Sequence, residues 1–129
     1  KVSLAKTNIL AFYYDGTKKI YIGENGKKIK NISLDKNDLP IIFGEFPINE
    51  FLKLKDILLD NGFEFNDFNK LYFFKSKRWD LIYDNKIIIK LPINQKDFSI
   101  KIIKKIFENL NLDDIKTIDL RISDRIIVL

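Results

Sequence analysis

Lys77-Arg78-Trp79-Asp80-Leu81-Ile82-Tyr83-Asp84-Asn85-Lys86-Ile87-Ile88-Ile89-Lys90-Leu91-Pro92 is the stretch whose reading decides the fold. It reads as a β-hairpin closed by Asp84, Asn85 and Lys86. With that loop Tyr83 faces Ile87, Leu81 faces Ile89 and Trp79 faces Leu91, so one face is wholly apolar. On the other face Ile82 meets Ile88 and Asp80 meets Lys90, an opposite-charge pair. A two-residue loop would set Trp79 against Lys90 and Asp80 against Ile89. Register follows the pattern that buries one face, which selects three residues. Such loops join a type I turn to a left-handed third residue, a position that falls on Lys86 here although glycine would adopt it more cheaply. Pro92 has no N–H to give to a ladder, so the second strand ends there. Trp79 is expected in the core, because Leu81, Tyr83, Ile87, Ile89 and Leu91 share its face.

Working outward, Lys1 to Leu4 reads as the tail of an earlier element. Asn8 to Tyr14 has strand composition, Asp15-Gly16 is a turn signal, and Lys19 to Ile22 is the return strand. Asn25-Gly26 then leads into Lys27 to Ile29, completing a small antiparallel meander. Residues 31–38 read as a polar loop, followed by the apolar run Leu39-Pro40-Ile41-Ile42-Phe43-Gly44. Pro47 suits the first turn of a helix, Phe51, Leu54, Ile57 and Leu58 recur at helical spacing, and Asn61-Gly62 is a stop signal. Leu71 to Phe74 starts the strand that leads into the hairpin. Asn94 reads as an N-cap with Asp97 three residues on, and Phe98, Ile102, Ile103, Ile106 and Leu110 form the stripe of a second helix. Ile118, Leu120 and Ile122 alternate with Asp119 and Arg121, a half-buried strand. Ser123-Asp124 is a turn and Arg125 to Leu129 the final strand. Strands, helix, strands, helix, strands, with short connections, predict an α+β fold: one domain, a mainly antiparallel sheet, and two helices packed on it.

The totals exclude several kinds of chemistry. The 129 residues suit one core, and 46% hydrophobic with 32% charged residues is a globular balance. The chain has no cysteine and no histidine, so disulfide, thiolate and imidazole chemistry are absent and zinc loses its two usual ligand types. No stretch approaches the roughly 18 apolar residues of a membrane span, and no signal peptide is present. The opening on Lys1 rather than methionine reads as a part cut from a longer protein. There is no Gly-rich phosphate loop and no metal-spaced cluster, and the serines have no histidine to activate them. Asp80, Asp119 and Asp124 could in principle supply a hydrolytic carboxylate pair, but each has a basic neighbour in Lys90, Arg121 or Arg125. No enzyme activity and no cofactor are expected.

Charge and edge chemistry say more. Seven lysines in residues 1–30 against Asp15 and Glu24 account for the whole net charge of +5. Lys18, Lys19, Lys27 and Lys28 flank turns, where solvated lysine is the ordinary outcome. A basic nucleic-acid or anionic-surface module is therefore the alternative reading rather than the leading one. Lysine supplies all but three of the 23 basic residues. The survivors Arg78, Arg121 and Arg125 stand where a planar fork of donors is useful, and Arg78 is expected to hold a carboxylate or backbone carbonyls. The last strand is apolar on both faces through Ile126, Ile127, Val128 and Leu129, with no lysine, proline or bulge. Either it lies inside the sheet, or it is an unprotected edge meant for a β-strand partner.

Four blocks, in this order and spacing, resemble the bacterial cell division family FtsQ (DivIB in Gram-positives), its alphaproteobacterial members most of all. They are Leu39-Pro40 with Gly44, Arg78-Trp79-Asp80-Leu81, Leu91-Pro92, and Ile118-Asp119-Leu120-Arg121 followed by Asp124-Arg125. The resemblance spans nearly the whole chain. It implies a bitopic inner-membrane protein with a short cytoplasmic tail, one membrane helix, a POTRA domain and a C-terminal β domain. Residues 1–129 look like that periplasmic β domain alone, with residues 1–6 as the tail of an upstream POTRA domain and the membrane helix absent. It further implies a soluble, non-catalytic scaffold fragment that binds FtsB-like and FtsL-like divisome proteins, not nucleic acid, by strand addition at its last strand. Carried over by position, the candidate partner-binding residues are Arg121, Ile122, Arg125, Ile126, Ile127, Val128 and Leu129. Arg78, Trp79, Asp80, Leu81, Leu91, Pro92, Asp119 and Leu120 form the structural motif. Lys86 stands where relatives often carry glycine, and Ile122 where some carry an aromatic.

Overall fold

A computed structural model describes residues 8–30, 39–94, 96–122 and 125–129. The elements follow in the order β1 (Ile9–Asp15), β2 (Lys18–Gly23), β3 (Lys28–Ile29), β4 (Ile41–Phe43), α1 (Ile48–Asp60), β5 (Phe68–Phe73), β6 (Trp79–Tyr83), β7 (Ile87–Lys90), α2 (Lys96–Asn109), β8 (Thr117–Asp119) and β9 (Ile127–Val128). The nine strands of the described residues form one sheet, in the order β3-β2-β1-β4-β5-β6-β7-β8-β9. The fold is α+β with a mainly antiparallel sheet. The parts read as Lys1 to Leu4, residues 1–6, residues 31–38 and the Ser123-Asp124 turn lie outside the described residues.

The hairpin takes the register that its side chains require: Asp80 opposite Lys90, Leu81 opposite Ile89, Ile82 opposite Ile88 and Tyr83 opposite Ile87. Leu91 continues it by donating its N–H to the Trp79 carbonyl at 3.0 Å. The turn differs from expectation. The left-handed residues are Asp84 (φ 51) and Asn85 (φ 55), not Lys86. Asp and Asn tolerate this region better than other side chains, and two residues at the start of β5 and just before it hold the turn. Asp84 N–H donates to the Asp67 carbonyl at 3.0 Å, and Asn85 N–H donates to Asn69 Oδ1.

Three of the strand joints are parallel: β1 with β4, β4 with β5, and β7 with β8. The short-connection reading missed them. A helix between two neighbouring strands is the connection that parallel pairing needs, and both α1 and α2 are such crossovers. β4, β5, β7 and β8 run in one direction, and both crossovers step the same way along the sheet. A shared handedness therefore lays both helices on one face. They meet where Asn61 Nδ2 donates to Asp97 Oδ1 at 3.0 Å and the Phe63 and Phe107 rings approach to 5.9 Å.

Between helices and sheet lies the core. α1 buries Phe51, Leu54 and Leu58, and α2 buries Ser99, Ile100 and Ile103. Trp79, Leu71, Leu81, Ile89, Leu91 and Ile118 meet them from the sheet. The α2 stripe is thus rotated from the one expected. Ile102 and Ile106 pack against the core, but Phe98 and Leu110 are exposed. At about 100° per residue Phe98 sits roughly 140° round the axis from Ile103, and Leu110 lies past the end of the helix. Asp97 forms no capping box with Asn94, because the helix begins at Lys96 and the Asp97 carboxylate accepts from Asn61 and Lys101.

Candidate partner-binding site

The sheet has two edges, and they are built differently. β3 carries Lys28, with Lys27 and Lys30 beside it, all exposed. Lysine on an edge discourages a further strand. β9 closes the other end of the order and has no lysine. Thr117 and Leu129 exchange both backbone bonds, at 3.1 and 2.8 Å, so Ile118 and Val128 form the adjacent pair that exchanges none. The N–H and C=O of Val128 therefore point away from the sheet. Val128 is 38% exposed, and among the described residues no strand flanks it on that side. β9 lies at the edge, not within the sheet.

The strand before it stops early. Asp119 Oδ1 accepts from the Arg121 N–H at 3.1 Å, a local turn that competes with the ladder. β8 ends there, and Ile122, expected on the buried face, is instead 51% exposed. Leu120 remains buried. Arg125 N–H donates to the Ile122 carbonyl at 3.1 Å.

Beside this edge is a cleft of about 390 Å³, between the segment after β7, the first turns of α2, residues 120–122 after β8 and residues 125–126 before β9. All three arginines of the chain line it: Arg78, Arg121 and Arg125. Two are braced by an aspartate two positions away. Arg78 Nη1 donates to Asp80 Oδ1 at 2.6 Å and reaches the Leu91 carbonyl at 3.4 Å, with its guanidinium over the Phe74 ring. The Asp80 carboxylate, expected to pair with Lys90, is thus bonded to Arg78. Arg121 donates from Nε to Asp119 Oδ1 at 2.9 Å and from Nη2 to Asp119 Oδ2 at 2.7 Å. The side-chain bonds from Arg121 hold the Asp119 carboxyl below its usual pKa, against burial, which pushes the other way. Arg125 makes no ion pair among the described residues.

Of the residues read as partner-binding, Arg121, Ile122, Arg125 and Ile126 line the cleft, while Ile127, Val128 and Leu129 run along the edge beside it. Of the motif residues, Arg78, Pro92 and Leu120 line the cleft, Asp80 and Asp119 brace its arginines, and Trp79, Leu81 and Leu91 lie beneath in the core. The sequence reading missed Ile93, Phe98 and Ile102, which add to the apolar wall that Pro92, Leu120, Ile122 and Ile126 also line. Phe98, 60% exposed, was visible in principle from a helical wheel. Arginine forks and apolar side chains beside an open edge can receive a strand with acidic and apolar residues. Among the described residues no group of three or more His, Cys, Asp or Glu could hold a metal ion, and no helix is long and apolar enough to cross a membrane.

A sequence profile of the family described as cell division protein FtsQ/DivIB, C-terminal, matches residues 11–121. The match includes both braced arginines and ends at Arg121, so Ile122 and β9 lie beyond it. No curated protein matches the chain significantly.

Proposed function

The chain belongs to the FtsQ/DivIB C-terminal family and so serves cell division, and on that premise we propose that it is a non-catalytic scaffold domain that binds FtsB-like and FtsL-like partners by adding their strand to β9. The reading places it in the periplasm, as a domain of a single-pass inner-membrane protein. One observation carries it: β3 is guarded by lysines, whereas β9 presents the Val128 main chain unguarded, beside a cleft lined by three arginines. In a chain with 23 basic residues, an edge free of lysine is a contrast that strand addition accounts for.

The test is a titration of the domain with FtsB-like and FtsL-like periplasmic segments, followed by amide signals of β9 and β3. Binding that perturbs Val128 and Ile126 and spares Lys28 and Ile29 supports the reading. Saturable binding elsewhere, or none, overturns it. The alternative, an anionic surface bound through the meander lysines, predicts instead nucleic-acid or anionic-vesicle binding that weakens steeply with salt. Lys19 lies over the Phe12 and Tyr21 rings and Lys28 over Tyr13, contacts with the domain's own sheet.

A further inference from the structure

We propose that Asp119 is a positioning residue for the cleft: it fixes one side of the Arg121 guanidinium so that the opposite edge is held ready for a carboxylate of the partner. The proposal rests on the reading of β9 as the partner edge. Its grounds are the hydrogen bonds of this one pair. A guanidinium has five N–H donors in a rigid plane. Asp119 takes Nε–H and one Nη2–H, which lie on the same side. Both Nη1 hydrogens and the second on Nη2 have no partner among the described residues, and one from each nitrogen makes up the fork that binds a carboxylate end-on. A side chain tethered in this way has lost its freedom before the partner arrives, so less ordering is left to oppose binding.

The surroundings keep the brace from cancelling the charge. Lys90 stands opposite both Asp80 and Asp119 in the ladders and acts on the Asp119 carboxylate. Among the described residues the cluster thus holds four cations, Arg78, Lys90, Arg121 and Arg125, and two aspartates, and it stays positive. A purely structural role for Asp119 would need less. The backbone bond from Arg121 N–H is enough to end β8, and an amide oxygen could accept it equally well. The two-oxygen grip on the side chain is what that role leaves unexplained.

Asp119→Asn separates the two, since it keeps the acceptor for the backbone N–H and loses the charged fork. The whole domain is titrated with an FtsB-like periplasmic segment and with the same segment carrying amides in place of its acids. The expected result is about a tenfold loss for the acidic segment, little change for the amide segment, and a domain that stays folded with only a small drop in melting temperature. Equal loss against both segments marks a structural role and overturns the proposal. A gain for the acidic segment also overturns it, because Asp119 would then be competing for Arg121. A second measurement needs no partner: the Arg121 side-chain N–H signals are followed as inorganic phosphate is added. Wild type should show a resolved Nε–H and phosphate-dependent shifts at the Nη groups, and Asp119→Asn should lose both. If wild type shows neither, the proposal fails. If no segment binds wild type, the β9 reading fails, and the phosphate titration still decides the role of Asp119.

Discussion

Val128 stands opposite Ile118 in the last ladder of the sheet, in the pair that exchanges no hydrogen bonds. Its neighbour Ile127 pairs with Asp119 and turns its N–H inward. Proline should therefore act differently at two adjacent positions. Val128→Pro removes an outward donor and no ladder bond, so the domain should keep its melting temperature. Its affinity for an FtsB-like segment should fall by about tenfold or more. Ile127→Pro breaks the pairing of β9 itself and should loosen the edge even without a partner. Calorimetry and titration of both variants check this. Unchanged affinity in a folded Val128→Pro protein would remove strand addition from consideration.

Trp79 has no exposed surface, and the Phe73 and Phe46 rings lie 4.9 and 6.3 Å from it. Trp79→Ala should cost about 3–5 kcal/mol in urea unfolding. The buried indole N–H has no hydrogen-bond partner among the described residues, so Trp79→Phe forgoes no such bond and should cost clearly less than alanine. A Trp79→Ala protein that unfolds like wild type but no longer binds a partner would place the indole at the surface.

Gly44 has φ +98, and a Cβ built there would lie 2.2 Å from the Phe73 carbonyl oxygen. Both the conformation and the space forbid a side chain, and the obstacle is backbone of the adjoining strand. Gly44→Ala should destabilise the domain by more than about 2 kcal/mol. Gly16 is left-handed too, but nothing lies within 4 Å of its Cβ direction, so Gly16→Ala should cost less. Equal effects in thermal melts would refute the steric argument.

Acid should expose the braces. The Arg121 bonds depress the Asp119 carboxyl pKa, and those from Lys101 and then Asn61 depress that of Asp97. A carboxyl whose pKa is lower folded than unfolded contributes its full stabilisation above the unfolded value, about 3.9, and loses it as pH falls towards the folded one. Urea melts between pH 6 and pH 2 should show Asp119→Asn losing less stability than wild type below about pH 4. Parallel curves for the two proteins would show that the Arg121 bonds contribute nothing to folding.

The parts of this fold that could be read from the chain are those with a local period. Only one register puts Trp79, Leu81 and Tyr83 on one face with Ile87, Ile89 and Leu91, and that is the register observed. The parallel joints have no such signature, because β4 is three residues of one apolar run and its partners are decided by where α1 returns the chain. The hairpin turn was misread because Asp67 and Asn69, distant in sequence, hold it. At the site, the rarity of arginine pointed to the residues that matter, but not to their meeting in one cleft. Ile122 continued an alternation that the bond between Asp119 and the Arg121 N–H interrupts. The aspartate-to-arginine spacing that makes that turn was in plain view, yet so short a turn is easily outweighed by a run of alternating residues.

Charge reversal should rank the arginines. Arg125 lines the cleft and makes no ion pair among the described residues. Arg125→Glu therefore costs the fold little, while it puts a repulsive charge where an acidic strand would lie. Affinity for an acidic FtsB-like segment should fall by about tenfold, and the loss should shrink as salt is raised towards 1 M. Arg121→Glu removes the same attraction but also sets a second carboxylate beside Asp119, which now has no fork to hold it. It should weaken binding comparably and lower the melting temperature as well. Arg78→Lys keeps the charge but loses the planar contact with Phe74 and the reach to the Leu91 carbonyl, so its effect should fall on stability rather than on salt-dependent binding. Measured side by side, the three variants separate a cation that meets the partner from one that is braced to meet it and one that secures the hairpin. If Arg125→Glu and Arg121→Glu both leave affinity unchanged in folded protein, the partner does not reach this cleft.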